Sequence, residues 1–373
     1  MVAGEASGDF LGAGLIDALR KRRPSLRFAG IGGPAMQAQG FESWYPMERL
    51  SLRGYVEVLR QYPGLAAMRR ALGTRLISER PAIFVGIDAP DFNLSLERRL
   101  RHNGTRTVHY VSPSIWAWRG GRLRSIRASA DHVLTLFPFE EPMYRTAGIA
   151  ATFVGHPLAD LIPFGEITKV AREQLRIPEK RTIIALLPGS RQSELRYMGA
   201  TFVRTARIMA ERRPGLHFLV PMISRETRAI FDEALYAERG ESLPLTVMFG
   251  HSRTAIAASD AVLVASGTAT LEVGLCRKPM VITYRMSPTT WKLMSRMRYQ
   301  PWVGLPNIIA GQFLVPEILQ DEATPENLAN AMLNALSDPV VRERLPKHLE
   351  KIHQSLKQNA AERAAESVLA CMS

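Results

Sequence analysis

The chain reads as α/β, built from two doubly wound, Rossmann-like domains facing a cleft. Three observations predict this class. Short β-branched or apolar runs alternate with amphipathic stretches of helical length, the pattern of parallel sheets covered by helices on both faces. The alternation runs twice, with a linker at 155–163 between the two sets. The 373 residues also exceed the size at which a single hydrophobic core stops growing. The N-terminal domain is placed at 1–157 and the C-terminal domain at 158–345. A helical segment at 346–373 is expected to pack back on the first domain.

Taken in order, the first strands are expected at 28–30, 83–87, 107–111, 132–135 and 151–154. The second set is expected at 182–187, 217–220, 245–248, 261–264 and 280–283. Helical patterns lie between them, for example at 11–22, 94–102, 197–212 and 225–236. From 325 to 370 the pattern is helical, punctuated by Asp338-Pro339, with no further strand.

The opening MVAGEASGDF has Gly4, Ser7 and Gly8 in what looks like a tight strand-to-helix turn, with Glu5 and Asp9 inside it. A diphosphate there would meet like charges in a partly dehydrated site, which is costly. The turn therefore suits hydroxyls, or the orientation of a base. Its spacing is not GxGxxG, and no ribose-binding acid follows at the expected distance, which argues against a nicotinamide enzyme.

The stretch YVEVLRQYPGLAAMRRALGTRL at 55–76 sets Val56, Leu59, Leu65, Met68 and Leu72 on one side and interleaves Arg60, Arg69, Arg70 and Arg75. It is either an amphipathic helix against its own sheet or an interfacial element with arginines on lipid phosphates. Pro63-Gly64 predicts an irregular, exposed element.

GIDAPDFN at 86–93 follows a strand, and a carboxylate fixed there can take a proton from an incoming hydroxyl. Asp88 is assigned that role. Asp91 reads as an N-cap, with Asn93 another candidate, and Pro90 as a stop to strand and helix alike. Metal binding by the aspartate pair is not expected, since no third carboxylate or histidine stands at ligand spacing. In HYVSPSIWAWR at 109–119, Trp116 and Trp118 either stack on sugar rings or bases or fill a core. His156 in GHP serves either the hinge or binding.

Ligands of open parallel sheets bind beyond the carboxyl ends of the strands. In LLPGSRQSE at 186–194, Gly189 and Ser190 make a turn with little side-chain bulk, and Arg191 offers a planar fork to phosphate. In VASGTATLEVG at 264–274, Ser266, Gly267 and Thr268 turn into a helix whose start favours an anion. Glu272 either accepts the hydroxyls of a ribose or complements the helix dipole. In PNIIAG at 306–311, Asn307 follows a proline.

With 46% apolar and 22% charged residues, the composition is that of a globular protein. No run of about 18 apolar residues predicts a membrane span, and no signal peptide opens the chain. Two cysteines make no disulfide framework and point to a reducing cytosol. The net charge is +13. Five arginines face one glutamate between Arg53 and Arg75, and eight face one between Glu97 and Arg127. Such density marks either a solvated surface or an anionic partner: a membrane face, phosphorylated small molecules or nucleic acid.

Together, GEASGD, GIDAPDFN, YVSPSIWAWR, LLPGSRQSE and ASGTATLE resemble, in order and spacing, the lipid-A-disaccharide synthases, bacterial glycosyltransferases that join two acylated glucosamines. The resemblance runs from Val2 to the C-terminal helix. It implies the GT-B fold and inverting transfer from UDP-2,3-diacylglucosamine to the 6-hydroxyl of 2,3-diacylglucosamine 1-phosphate, with release of UDP. It implies no metal and no cofactor. The partners implied are the two acylated sugars and the anionic cytoplasmic face of the inner membrane, to which the protein binds peripherally, with no nucleic acid.

Carried over by position, Asp88 matches the catalytic carboxylate, and Glu5 and Asp9 stand in reserve. Arg191 with Gly189 and Ser190 matches the diphosphate side, and Ser266, Gly267, Thr268 and Glu272 the nucleotide site. Ser7, Asn307 and Trp118 are placed on the acceptor side. Val56, Leu59, Leu65, Met68, Arg69 and Arg70 are placed at the membrane. The family has several residues of strand ahead of VAGEASGD, where Met1 alone stands here, so an upstream start is expected. The alternatives are another UDP-sugar enzyme of the same fold, such as a UDP-N-acetylglucosamine 2-epimerase, and a basic nucleic-acid-binding protein.

Overall fold

Strands buried on both faces are apolar along their whole length, and the strands Phe84–Ile87 and Ala261–Ala265 are of that kind. The computed structural model describes residues 1–50, 55–113, 121–287, 291–292 and 301–372, with 55–62 as backbone only. It comprises two units, Met1–Asp160 with Ser355–Ser373, and Leu161–Gln354.

The first unit holds β1 (Val2–Ala3), β2 (Ala29–Gly30), β3 (Glu42–Ser43), β4 (Phe84–Ile87), β5 (Thr107–Tyr110), β6 (His132–Thr135) and β7 (Ala151–Phe153). Five of them form a sheet in the order β1-β4-β5-β6-β7, parallel throughout. β1 is short but interior. Beyond β4 on one side, it meets Ile31 on the other, where the Ala3 amide donates to the Ile31 carbonyl (2.9 Å) and the Ile31 amide to that of Met1 (3.0 Å). The helix Ala360–Met372 packs on the helix Ala6–Arg22, as expected of the chain's end, and sends Ala364, Ala365 and Val368 into the core of this unit. Arg22 reaches Glu362 and Glu366 across the same contact.

Two expectations are corrected here. The helix Ala6–Arg22 begins before residue 11, so Ser7, Gly8 and Asp9 are helical rather than loop. Glycines make this close approach: a Cβ on Gly12 would lie 2.5 Å from the Met36 sulfur. The stretch at 55–76 is not irregular either, but part of one helix, Tyr55–Glu79, with Pro63 inside it. One proline removes one amide donor, whereas Met68, Leu72 and Leu76, spaced four apart, anchor the helix in the core of this unit. Met68, expected at a bilayer, is 6% exposed and belongs to the core, and Leu65 packs half-buried against it. Arg69 donates to the Asp91 carbonyl (3.2 Å) and lies over Phe92, while Arg70 is exposed. Val56 and Leu59 lie outside the described side chains.

The second unit holds β8 (Thr182–Leu187), β9 (Leu216–Met222), β10 (Leu245–Phe249), β11 (Ala261–Ala265), β12 (Met280–Tyr284) and β13 (Glu317–Leu319). They form one parallel sheet in the order β10-β9-β8-β11-β12-β13. β11 is buried along its whole length. The edge strand β13 was not expected, because three half-buried residues starting with a glutamate give no apolar run.

Candidate active site

β4 ends on a strained turn. Asp88 and Ala89 both take left-handed backbone angles, with φ of +51° and +43°, before Pro90 opens the helix Pro90–His102. The proline starts that helix rather than stopping it, since the first helical position needs no amide hydrogen. Asp88 is half-buried, its amide donates to the Tyr110 carbonyl (2.8 Å), and among the described residues no group bonds its carboxylate. Asp91 is not the N-cap; that position is Ala89. Its carboxylate, 88% exposed, pairs with Arg122 at 2.6 Å. The opening segment lies against this turn, for a Cβ on Gly4 would stand 2.7 Å from that of Ala89.

The other carboxylates of that segment differ in environment. Asp9 is buried and accepts three backbone amides, from Gly33 (2.8 Å), Ala35 (2.9 Å) and Met36 (3.0 Å). An anion there closes the start of the short helix Pro34–Ala38. Asp9 is thereby a structural carboxylate and no longer a reserve base. Glu5 and Ser7 are exposed.

In the second unit, β8 and β11 pair with Leu187 opposite Val264, so the two glycine turns leave adjacent strand ends. Gly189 has φ of +133°, and a Cβ on it would lie 2.6 Å from that of Glu194. The Glu194 carboxylate accepts the amides of Ser190 (2.9 Å) and Arg191 (3.1 Å), closing the start of the helix Gln192–Arg212. The amides of Ser190 and Arg191 are therefore already taken. The Arg191 guanidinium remains available, 70% exposed and 3.6 Å from Glu194. Tyr284 donates to the other Glu194 oxygen (3.4 Å), and burial together with that carboxylate raises the phenol's pKa.

At the neighbouring turn, Gly267 has φ of +157°, and the space where its Cβ would stand is open. The helix Thr268–Leu275 follows, and no described protein group accepts the amides of Thr268 and Ala269. Ser266 donates to the Val303 carbonyl (3.2 Å). Glu272 falls beyond the first helical turn and accepts from Arg253 (3.1 Å), so an ion pair, not the helix dipole, holds it. Asn307 is buried with its amide fully engaged. The nitrogen donates to the Val315 carbonyl and to Glu317, and the oxygen accepts the amides of Leu314 and Val315. It fixes a loop and has no capacity left for an acceptor. Trp116 and Trp118 lie outside the described residues.

Sequence reasoning passes over Glu194, Tyr284 and Arg253. Glu194 carries a readable signal, a glutamate three residues into a helix start, which is half of a capping box. Arg253 reaches the site from the helix Ser252–Ala258 and Tyr284 from the end of β12, and nothing local marks them. Among the described residues there is no cluster of three metal-ligating side chains, and no helix is long and apolar enough to cross a membrane.

The model of the lipid-A-disaccharide synthetase family matches residues 1–370. A lipid-A-disaccharide synthase of Methylobacillus flagellatus is 53% identical over 369 residues, covering 99% of this chain and 98% of the relative. That of Dechloromonas aromatica is 52% identical over 373 residues, covering 100% and 98%. Among solved structures, the UDP-N-acetylglucosamine 2-epimerase of Neisseria meningitidis bound to UDP-GlcNAc superposes with a TM-score of 0.58 at 10% identity, covering 98% of this chain and 96% of that one. A glycosyltransferase involved in lipopolysaccharide biosynthesis superposes with a TM-score of 0.54 at 13% identity, covering 99% and 97%. At such identities these structures speak for the fold alone, which is GT-B.

Proposed function

The chain belongs to the lipid-A-disaccharide synthetase family, and on that premise we propose that it moves 2,3-diacylglucosamine from its UDP carrier to the 6-hydroxyl of 2,3-diacylglucosamine 1-phosphate in one inverting displacement. Asp88 takes the proton of the attacking hydroxyl as general base. The observation that carries this assignment is the contrast among carboxylates: Asp91 is paired with Arg122, Asp9 is spent on three amides, and Asp88 is unengaged at a strand end. Glu5, exposed on the adjoining segment, stays the reserve.

The departing UDP develops charge on its diphosphate, and the second unit supplies what stabilises it. The open amides of Thr268 and Ala269 at a helix start and the exposed Arg191 fork are the donors. Glu272, which Arg253 holds by an ion pair, is the residue assigned to the ribose hydroxyls. No step calls for a metal. Because both sugars are acylated, the protein works peripherally at the anionic cytoplasmic face of the inner membrane. The +13 charge and the exposed Arg70 support that placement.

Incubation with both acylated substrates should yield the disaccharide 1-phosphate and UDP by mass spectrometry. Asp88→Ala should lower kcat by about 1,000-fold or more while UDP binding is kept. Near-normal turnover in that variant removes the base assignment.

A further inference from the structure

Asp88 and Ala89 hold consecutive left-handed conformations, and for residues other than glycine each costs on the order of 1 kcal/mol or more. Such a turn persists only where its surroundings fix it. We propose that Asn93 is the positioning residue that fixes it, gripping the backbone of Asp88 from beneath; the proposal rests on the reading of Asp88 as the general base. Asn93 is fully buried on the helix Pro90–His102. Its amide nitrogen donates to the Asp88 carbonyl at 2.8 Å and lies 3.4 and 3.3 Å from the carbonyls of Ile87 and Val2. The ends of β1 and β4 thus converge on one side-chain amide.

The direction of that amide is fixed by its surroundings, since turning it over would set oxygen against three carbonyls. Its oxygen is buried without a partner. An unsatisfied acceptor costs about 1–3 kcal/mol, and an alanine or leucine here would avoid that cost. What an apolar residue cannot supply is the donor to the turn. Gly86 makes the approach possible, because a Cβ there would lie 3.0 Å from that of Asn93 and 2.1 Å from a Glu97 oxygen. Glu97, one turn further along, instead bonds His109 (2.7 Å), buried and without a bond to the turn. With its amide held by Tyr110 and its carbonyl by Asn93, Asp88 has a pinned backbone and an unengaged carboxylate.

A misplacement of about 1 Å in a reacting group can cost about 100-fold in rate. Asn93→Ala should therefore lower kcat by about 10- to 100-fold, with KM for both substrates within about twofold. In an Asp88→Ala background the same change should alter residual turnover by less than about twofold, since no carboxylate is left to misplace. Glu97→Gln, equally buried on the same helix, controls for general destabilisation and should keep kcat within about twofold of the unaltered enzyme. Additive losses in the double variant, or an Asn93→Ala enzyme with unchanged kcat, overturn the proposal. If circular dichroism shows Asn93→Ala unfolded, Asn93→Ser replaces it. Should neither fold, Asn93 is a folding residue and the proposal falls. The underlying reading fails separately, when Asp88→Ala itself turns over normally.

Discussion

His156 is neutral in the folded protein, because burial pushes its pKa down to about 4. Its ring nitrogen accepts the Leu158 amide (3.2 Å), and its own amide donates to the Leu356 carbonyl (2.9 Å). The unfolded chain takes up a proton near the ordinary value of 6.5, which the native state refuses until about 4. Stability is therefore complete above about pH 6.5 and falls as the pH is lowered toward 4, by on the order of 3 kcal/mol at most. Urea unfolding of His156→Gln should show a shallower loss between pH 7 and 4.5 than the parent, and equal slopes would contradict this account. The sequence GHP places a histidine at a boundary but not its environment. Asp9 and Asn307 share that difficulty. Asp9 follows a glycine and Asn307 a proline, and the amides that consume them come from other segments, 33–36 and 314–315.

At the level of the element, the turn after β8 shows what a pattern of small residues conveys and what it omits. PGS announces a tight turn at a strand end; the strand lies where its apolar pattern puts it, while the helix, expected from 197, already begins at Gln192. The pattern does not say what the amides of the turn already bind. Here the helix brings its own anion, Glu194, to its own start. Glu194→Gln keeps an oxygen for those amides, removes a negative charge from beside the position proposed for the diphosphate and releases Arg191 from its ion pair. Calorimetry should show UDP bound roughly fivefold more tightly, the worth of about 1 kcal/mol of relieved repulsion. Weaker binding would mean that the carboxylate serves chiefly to aim the guanidinium. The helix at 55–79 gives the converse lesson. Pro63 and Gly64 argue locally for disruption, and burial of Met68, Leu72 and Leu76 overrides them.

For the whole molecule, the doubling of the strand-helix alternation was legible because parallel strands in covered sheets are apolar along their length. The edge strands β3 and β13, with a charged residue in each, were not. The expected return of the last helix is a statement about the core. Ala364, Ala365 and Val368 are fully buried in the first unit. Removing residues 360–373 should lower stability by about 3–5 kcal/mol and produce dye-binding apolar surface, read by thermal unfolding and fluorescence. An unchanged melting temperature would show that the helix is an accessory.

The first unit is interrupted in sequence by the whole of the second, from Leu161 to Gln354. A ribosome therefore releases every residue of the inner unit before it supplies the segment that completes the outer one. The strands of the sheet carrying Asp88 are all made before the inner unit, but Ala364, Ala365 and Val368 reach the core of that first unit only after it.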